Sequence, residues 1–260
     1  MADMIDITTQ DGVCAAYVFR PTSPASGDGP WPAVLFYMDG AGIRPALFDL
    51  AGRIADRGYY VLLPDLFYRS GPYAPMDPRQ LFSDPALRKI LDETYIGKLG
   101  QANAMRDTRG LLDYLASQPD VAPGKIAAVG YCMGGGLALA AAGHFPDRIR
   151  AVAAYHPGRL ATDAPDSPHL LAPKLGAQIY IGRASDDASF PDAMKDRLEA
   201  AFTAAGVSYT LETYPARHGW VPADMPVHDP VAAERHWETL FQLLASGQGA
   251  GQSASSSPSV

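Results

Sequence analysis

The feature that most constrains this chain is the stretch Gly-Tyr-Cys-Met-Gly at residues 130–134. The apolar run before it, residues 125–130, predicts a buried strand, and the small-residue run after it, residues 134–142, predicts a helix packed closely against a sheet. Glycine at both ends lets the backbone turn sharply, so that the side chain of Cys132 is exposed at the carboxyl edge of the sheet, beside the helix N-terminus. The stretch is typical of a nucleophile elbow, with a thiol where serine is more common.

The elbow alone leaves two interpretations of Cys132 open. A buried cysteine is commonly an inert, small hydrophobic residue. A cysteine at an elbow can instead be a nucleophile when a base and an acid lie beside it, and in the hydrolase arrangement the acid and then the histidine follow along the chain. Here Asp187 and then His218 follow Cys132, each in a loop after a predicted strand, and Asp186 is the alternative acid. This order favours the catalytic interpretation.

The rest of the chain predicts an α/β fold, in which a mostly parallel central sheet has helices on both faces and an N-terminal hairpin. An Asp-Gly pair at residues 11–12 supplies the hairpin turn. The predicted strands span residues 4–9, 13–20, 31–38, 59–63, 125–130, 149–155, 178–182 and 209–214. The predicted helices begin at Pro45 or span residues 98–117, 134–142, 191–205 and 230–245.

Two segments do not fit this alternation of strands and helices. Residues 66–97, rich in proline and tyrosine, predict an insertion over the site that ends in a short helix from Asp84. Residues 246–260 are almost entirely Ser, Gly, Gln and Ala, which is too polar and flexible a composition to pack, so we expect a disordered tail. The remaining chain, residues 1–245, is expected to form one domain.

Composition excludes several classes of function. A net charge of −7 without a run of lysine and arginine argues against a nucleic-acid partner. No apolar run is long enough to span a membrane, and the acidic N-terminus does not resemble a signal peptide. The two cysteines, Cys14 and Cys132, do not make a disulfide framework, and no His/Cys/Asp/Glu spacing indicates a metal site. We therefore expect a cytoplasmic protein without a metal or cofactor, and its oligomeric state stays open.

Three motifs resemble the dienelactone hydrolase family of α/β hydrolases. They are Gly-Tyr-Cys-Met-Gly-Gly around Cys132, Asp187 followed by Ala-Ser-Phe-Pro, and Arg-His-Gly-Trp around His218. The resemblance implies an α/β-hydrolase fold and a Cys132, Asp187, His218 triad that cleaves a small carboxylic ester or lactone through a thioester. Asp187 is preferred to Asp186 because the acid of the family stands four residues before a proline, which is Pro191 here.

In such a triad, His218 would accept the thiol proton or hold the thiolate as an ion pair, and Asp187 would orient the imidazole and stabilise its charged form. The backbone N–H groups of Met133 and of Gly40, in the loop after the strand at residues 31–38, would hold the oxyanion. The resemblance also implies a carboxylate near the resting cysteine, where the family has glutamate and this chain has Asp39. Asp39 is one methylene shorter, and an alternative is that it only caps the turn before the helix at Pro45.

Substrate contacts are weakly encoded in the sequence. The possible contacts are Tyr131, Trp220, His156, Arg44 and Arg69. Each also has an ordinary structural interpretation, since strand aromatics are commonly core residues, arginines are commonly solvated, and a strand-end histidine can be satisfied by backbone groups. Among the other histidines, we expect His236 in a loop or at the surface.

Two rival hypotheses remain open. In the first, the same fold acts on another acyl bond or on a carbon–halogen bond, with Cys132 or Asp187 as the attacking group. In the second, the chain is a non-catalytic binding protein in which Cys132 senses redox state. The presence of a thiol, a carboxyl group and an imidazole in the expected order favours the ester hydrolase.

Overall fold

The computed structural model describes residues 2–23 and 27–246, and in this part of the chain eight strands form one sheet. The spatial order is β1-β2-β4-β3-β5-β6-β7-β8. The strands are β1 (Asp3–Thr9), β2 (Gly12–Phe19), β3 (Ala33–Tyr37), β4 (Tyr60–Pro64), β5 (Ile126–Tyr131), β6 (Ile149–Tyr155), β7 (Gln178–Asp186) and β8 (Tyr209–Arg217). β1 and β2 form the antiparallel hairpin, β2 pairs antiparallel with β4, and the other neighbours are parallel. The predicted fold class is confirmed.

The helices lie between and after the parallel strands. They are α1 (Pro45–Ala55), α2 (Pro78–Ser83), α3 (Pro85–Ile90), α4 (Gly97–Ser117), α5 (Met133–His144), α6 (Asp192–Ala205) and α7 (Pro230–Ser246). Pro45 occupies the first turn of α1, as its fixed φ and missing N–H favour. None of the described helices combines the length and the apolarity needed to cross a lipid bilayer.

The centre of the sheet is buried on both faces. Every residue of β3, β4 and β5 is buried, and in β6 the single exception is the half-buried Arg150. Strands covered on both faces need apolar residues at successive positions, which explains why these segments read as continuous apolar runs. The chain moves from β3 outward to β4 on one side and from β5 outward to β6 on the other. This reversal between β3 and β5 is a topological switch point, where α/β sheets bind ligands.

Residues 66–97 form mostly helical structure beside the carboxyl edge of the sheet. A 3₁₀ turn at Tyr68–Ser70 precedes α2 and α3, and the π-helical turn Leu91–Ile96 leads into α4. Asp84 caps α3 by accepting a hydrogen bond from the N–H of Ala86 at 2.8 Å.

Two strands are longer than predicted. β7 continues to Asp186 and β8 to Arg217, because these two residues pair in the parallel register after an irregularity between Ala184 and Asp186. Asp187 and His218 therefore follow the strand ends directly. The predicted disordered tail lies outside the described residues, except for Ser246, which ends α7.

Candidate active site

Cys132 occupies the turn between β5 and α5 with φ 54° and ψ −118°. A non-glycine residue in this region of backbone space is strained, and the neighbouring contacts hold it there. Its N–H donates to the carbonyl oxygen of Tyr155 in β6 at 3.0 Å, and its own carbonyl oxygen accepts from the N–H of Gly135 at 3.1 Å. The side chain is partly exposed, so the sulfur is not sealed in the core.

Gly134 lets α5 begin directly against the end of β3. A Cβ built on Gly134 would collide with the backbone carbonyl oxygens of Tyr37 and Met38. This close approach brings the N-terminus of α5 beside the loop that follows β3. It is the physical reason for glycine at this position of the elbow.

Cys132, His218 and Asp187 form a continuous hydrogen-bonded chain. The Sγ of Cys132 lies 3.0 Å from the Nε2 of His218, and the Nδ1 of His218 lies 2.7 Å from the Oδ2 of Asp187. Each residue follows a different parallel strand, and the carboxyl ends of these strands share one edge of the sheet. The structure therefore brings together the three residues that the sequence analysis selected.

Ser189 completes the surroundings of Asp187 and was missed by the sequence analysis. Its N–H and its Oγ donate to the Oδ1 of Asp187 at 2.8 Å and 2.6 Å, and its Oγ lies 3.2 Å from the Nδ1 of His218. The signal for this contact is the spacing, because an aspartate commonly accepts a hydrogen bond from the backbone two residues later. These bonds occupy Oδ1 and leave Oδ2 for the imidazole.

The adjacent acid, Asp186, has a different environment. Its side chain is 78% exposed and pairs with Arg217 at 3.5 Å, whereas the side chain of Asp187 is only 2% exposed. The pairing follows from the register of β7 and β8, which places Asp186 opposite Arg217.

The charges of the three groups are coupled. Burial lowers the pKa of His218, but the neighbouring Cys132 sulfur and the Asp187 carboxylate outweigh burial and raise the pKa to about 10. Burial raises the pKa of Asp187, but its hydrogen bonds with His218 and Ser189 produce a net lowering. The raised pKa of His218 and the lowered pKa of Asp187 both favour a protonated imidazole beside a charged carboxylate.

A cavity of about 1030 Å³ opens onto this chain of residues, and its lining includes Cys132, His218, Met133 and Gly40. Met133 is the first residue of α5, where backbone N–H groups have no partner within the helix. The π-helical turn Leu91–Ile96 contributes to the wall, so part of the 66–97 segment covers the cavity.

Asp39 lies at the cavity, but its side chain is engaged elsewhere. Its Oδ1 accepts from the N–H of Ala41 at 3.0 Å, and its two oxygens accept from the guanidinium of Arg44 at 2.7 Å and 2.8 Å. Arg44 also donates to Asp224 at 2.6 Å, and its side chain is only 2% exposed. These contacts match the alternative in which Asp39 caps the turn, and they leave Arg44 without access to a substrate.

Three other expected substrate contacts do not line the cavity, so we no longer assign them to substrate binding. Tyr131 is fully buried and its hydroxyl lies 2.9 Å from the Nε2 of His236. His236 is therefore a core residue of α7, and its expected place at the surface was wrong. Trp220 is also fully buried, and Arg69 forms a paired contact with the buried Asp107 at 2.6 Å.

His156 is the one expected substrate contact that the cavity lining includes, and it is 1% exposed.

Cys14 and Cys132 are both free thiols, and Cys14 is buried in β2. Across residues 2–23 and 27–246, no three His, Cys, Asp or Glu side chains are grouped so that they could hold a metal ion.

Comparison with known proteins identifies the family to which the chain is similar. The model of the dienelactone hydrolase family matches residues 14–247. A protein of Methylorubrum extorquens named "Putative carboxymethylenebutenolidase" is 29% identical over 245 residues, covering 92% of this chain and 79% of the relative. A protein of Escherichia coli with the same name is 26% identical over 260 residues, covering 93% and 90%.

The fold also matches solved structures. The crystal structure of a putative dienelactone hydrolase from Klebsiella pneumoniae superposes with a TM-score of 0.81 at 23% identity, covering 94% of this chain and 98% of that one. At this identity the superposition supports the fold alone. The match to the family model spans residues 14–247, a range that contains Cys132, Asp187 and His218. The chain belongs to the dienelactone hydrolase family of hydrolases.

Proposed function

We propose that this protein hydrolyses small carboxylic esters or lactones, with Cys132 as nucleophile, His218 as acid and base, and Asp187 as the orienting carboxylate. The observation that carries the proposal is the unbroken hydrogen-bonded chain from sulfur to carboxylate, open to a cavity large enough for a small ester. The name carboxymethylenebutenolidase, borne by the relatives, denotes the cleavage of a lactone and supports the same substrate class.

In the first half of the reaction, the thiolate of Cys132 attacks the carbonyl carbon. The negative charge that forms on the carbonyl oxygen would be held by the backbone N–H groups of Met133 and Gly40. The protonated Nε2 of His218 then gives its proton to the leaving alkoxide. An alcohol departs, or the opened end of a lactone becomes a hydroxyl group, and the acyl group remains on sulfur as a thioester.

In the second half, water replaces the alcohol. His218 has given its proton to the leaving group, so its imidazole is neutral and can accept a proton from water. The hydroxide attacks the thioester, and the tetrahedral intermediate collapses to release the thiolate of Cys132 beside the now protonated His218. The carboxylic acid product leaves and loses its own proton to solvent. Asp187 holds Nδ1 throughout, which keeps Nε2 directed at the sulfur.

Substitution of Cys132 tests the proposal. Cys132→Ala is expected to lower kcat for an activated aryl ester at least about 10³-fold, because the covalent step is lost. The matched control is Cys14→Ala, since Cys14 is the other free thiol and lies buried in β2, and it should retain full activity.

Trapping of the intermediate identifies the attacking group. With a slow-turnover ester, mass spectrometry should find the acyl adduct on the peptide that contains Cys132, and iodoacetamide should label Cys132 far faster than Cys14. Full activity of the Cys132→Ala protein, or an adduct on Asp187, would refute the proposed mechanism.

A further inference from the structure

His156 is a buried polar group whose ring nitrogens make no hydrogen bond to the part of the chain that the structure describes. The residue lines the cavity and is 1% exposed, yet within the described residues neither Nδ1 nor Nε2 has a hydrogen-bond partner. Leaving a buried polar group unsatisfied costs about 1–3 kcal/mol, so such groups normally have partners. The cavity is the side from which a partner can reach this imidazole.

The surrounding contacts hold the ring in place. His156 follows β6 with φ 38°, a strained conformation for a non-glycine residue, and its N–H donates to the carbonyl oxygen of Gly182 at 2.7 Å. The ring packs edge-on against Trp220 and against His218, with centroid separations of 5.0 Å and 5.4 Å. The imidazole is thus fixed beside the reacting groups, where a neighbour of the substrate carbonyl would lie.

The charge of the imidazole limits what it can bind. Burial first, and then the neighbouring His218 and His236, hold the pKa of His156 well below its usual range, so the ring is neutral. A neutral imidazole offers one N–H donor and one nitrogen acceptor. A hydroxyl group also offers a donor and an acceptor, whereas a carboxylate only accepts and would be better paired with the arginines in the cavity wall, Arg88, Arg159 and Arg217.

We propose that His156 hydrogen-bonds a hydroxyl group of the substrate close to the reacting carbonyl, so that the preferred substrates are hydroxylated esters or lactones. The proposal rests on the proposed ester hydrolase function and names the substrate class within it. A site built to hydrogen-bond a substrate hydroxyl discriminates strongly against the analogue that lacks it, because the buried polar group of the protein is then left unpaired.

Matched pairs of esters test this inference. The hydroxylated esters are ethyl 2-hydroxybutyrate, ethyl 3-hydroxybutyrate and 2-hydroxyethyl butyrate, and each is compared with the ester that has a methyl group in place of the hydroxyl. Hydrolysis is followed by proton release, and each kcat/KM is divided by the rate of hydroxide hydrolysis. We expect the wild-type protein to favour the hydroxylated member of at least one pair by about tenfold or more.

Two variants locate the preference. His156→Phe keeps an aromatic ring against Trp220 and His218 but has no nitrogen, so the ratio within the favoured pair should fall to near one. His156→Asn keeps a donor and an acceptor and tolerates a positive φ, so it should retain part of the preference. Thermal unfolding checks that both variants are folded.

Three results would overturn the inference. The first is a ratio of normalised kcat/KM values near one for all three ester pairs in the wild type. The second is a ratio in the favoured pair that the folded His156→Phe protein leaves unchanged. If the Phe variant does not fold, the third is a ratio that persists in His156→Met. Failure of the proposed function is distinguishable, because in that case the Cys132→Ala protein would hydrolyse these esters at the wild-type rate.

Discussion

At the scale of single residues, the site depends on how the two oxygens of Asp187 are shared. Oδ1 accepts two hydrogen bonds from Ser189, and Oδ2 accepts one from His218. A carboxylate held at both oxygens cannot rotate away from the imidazole. Ser189 is thus a positioning residue that acts through Asp187, and the hydroxyl of Ser189 helps to lower the pKa of that carboxyl group.

Ser189→Ala tests this positioning role. Loss of the hydroxyl removes one hydrogen bond to a charged group, so kcat is expected to fall about tenfold. The pKa of Asp187 should rise towards its ordinary value. In the wild type, the lowered pKa keeps the carboxyl group of Asp187 charged down to a lower pH than usual. In the variant the carboxyl group takes up a proton at a higher pH, so activity should be lost at a higher pH as the solution is acidified.

The matched control is Ser185→Ala. Ser185 lies on β7, four residues before Ser189. Its Oγ donates to the carbonyl oxygen of Ala216 at 3.5 Å and not to Asp187. Its pH–rate profile should superimpose on that of the wild type. An unshifted acid limb in Ser189→Ala would show that the hydroxyl does not act through Asp187.

At the scale of secondary-structure elements, the site depends on the contact between α5 and the end of β3. Met133 begins α5 and Gly40 follows β3, and the two must be close for both N–H groups to face one oxygen. The contact is possible because Gly134 has no Cβ to collide with the carbonyl oxygens of Tyr37 and Met38.

Gly134→Ala should separate these two elements. The added methyl group meets backbone atoms, which cannot move aside as a flexible side chain can, so we expect the free energy of unfolding to fall by about 1–3 kcal/mol. Activity should fall further than the loss of stability explains.

In the control, Gly136→Ala, the new Cβ lies 3.7 Å from Leu160 and 3.8 Å from Gly158, which are ordinary contacts. That variant should be as stable as the wild type or up to about 1 kcal/mol more stable. Equal denaturation midpoints for the two variants would contradict the argument.

At the scale of the whole molecule, Arg44 links two loops that are far apart in sequence. Its guanidinium binds Asp39 in the loop after β3 and Asp224 in the segment that follows His218. Arg44 and Asp39 are both buried, so neither charge has water to replace its partner. Because Arg44 binds Asp39 and Asp224 together, it ties the loop of Gly40 to the segment that follows the candidate base, His218.

Arg44→Met is expected to lower the free energy of unfolding by about 3–5 kcal/mol, because the carboxylate of Asp39 would remain buried without its partner. Chemical denaturation measures this loss. The control is Arg53→Met, which breaks a solvent-exposed pair with Glu234 between α1 and α7 and should cost less than about 1 kcal/mol. Similar losses in the two variants would show that burial does not distinguish these pairs.

The sequence by itself determined the fold class, the elbow at Cys132 and the placement of Asp187 and His218 after two later strands, although not where those strands end. These features depend on local patterns, such as runs of apolar residues, glycine at a tight turn and the order of elements along the chain. Parallel strands then bring their carboxyl ends to one edge, so the approximate place of the site follows from the same patterns.

Only the tertiary structure decided which groups meet within the site. The register of β7 and β8 pairs Asp186 with Arg217 and leaves Asp187 for His218. The burial of Trp220, the contact of Arg44 with Asp224 and the packing of His156 against His218 and Trp220 likewise depend on residues far apart along the chain. Burial and hydrogen-bond partners are properties of packing between distant segments, and local sequence patterns do not contain them.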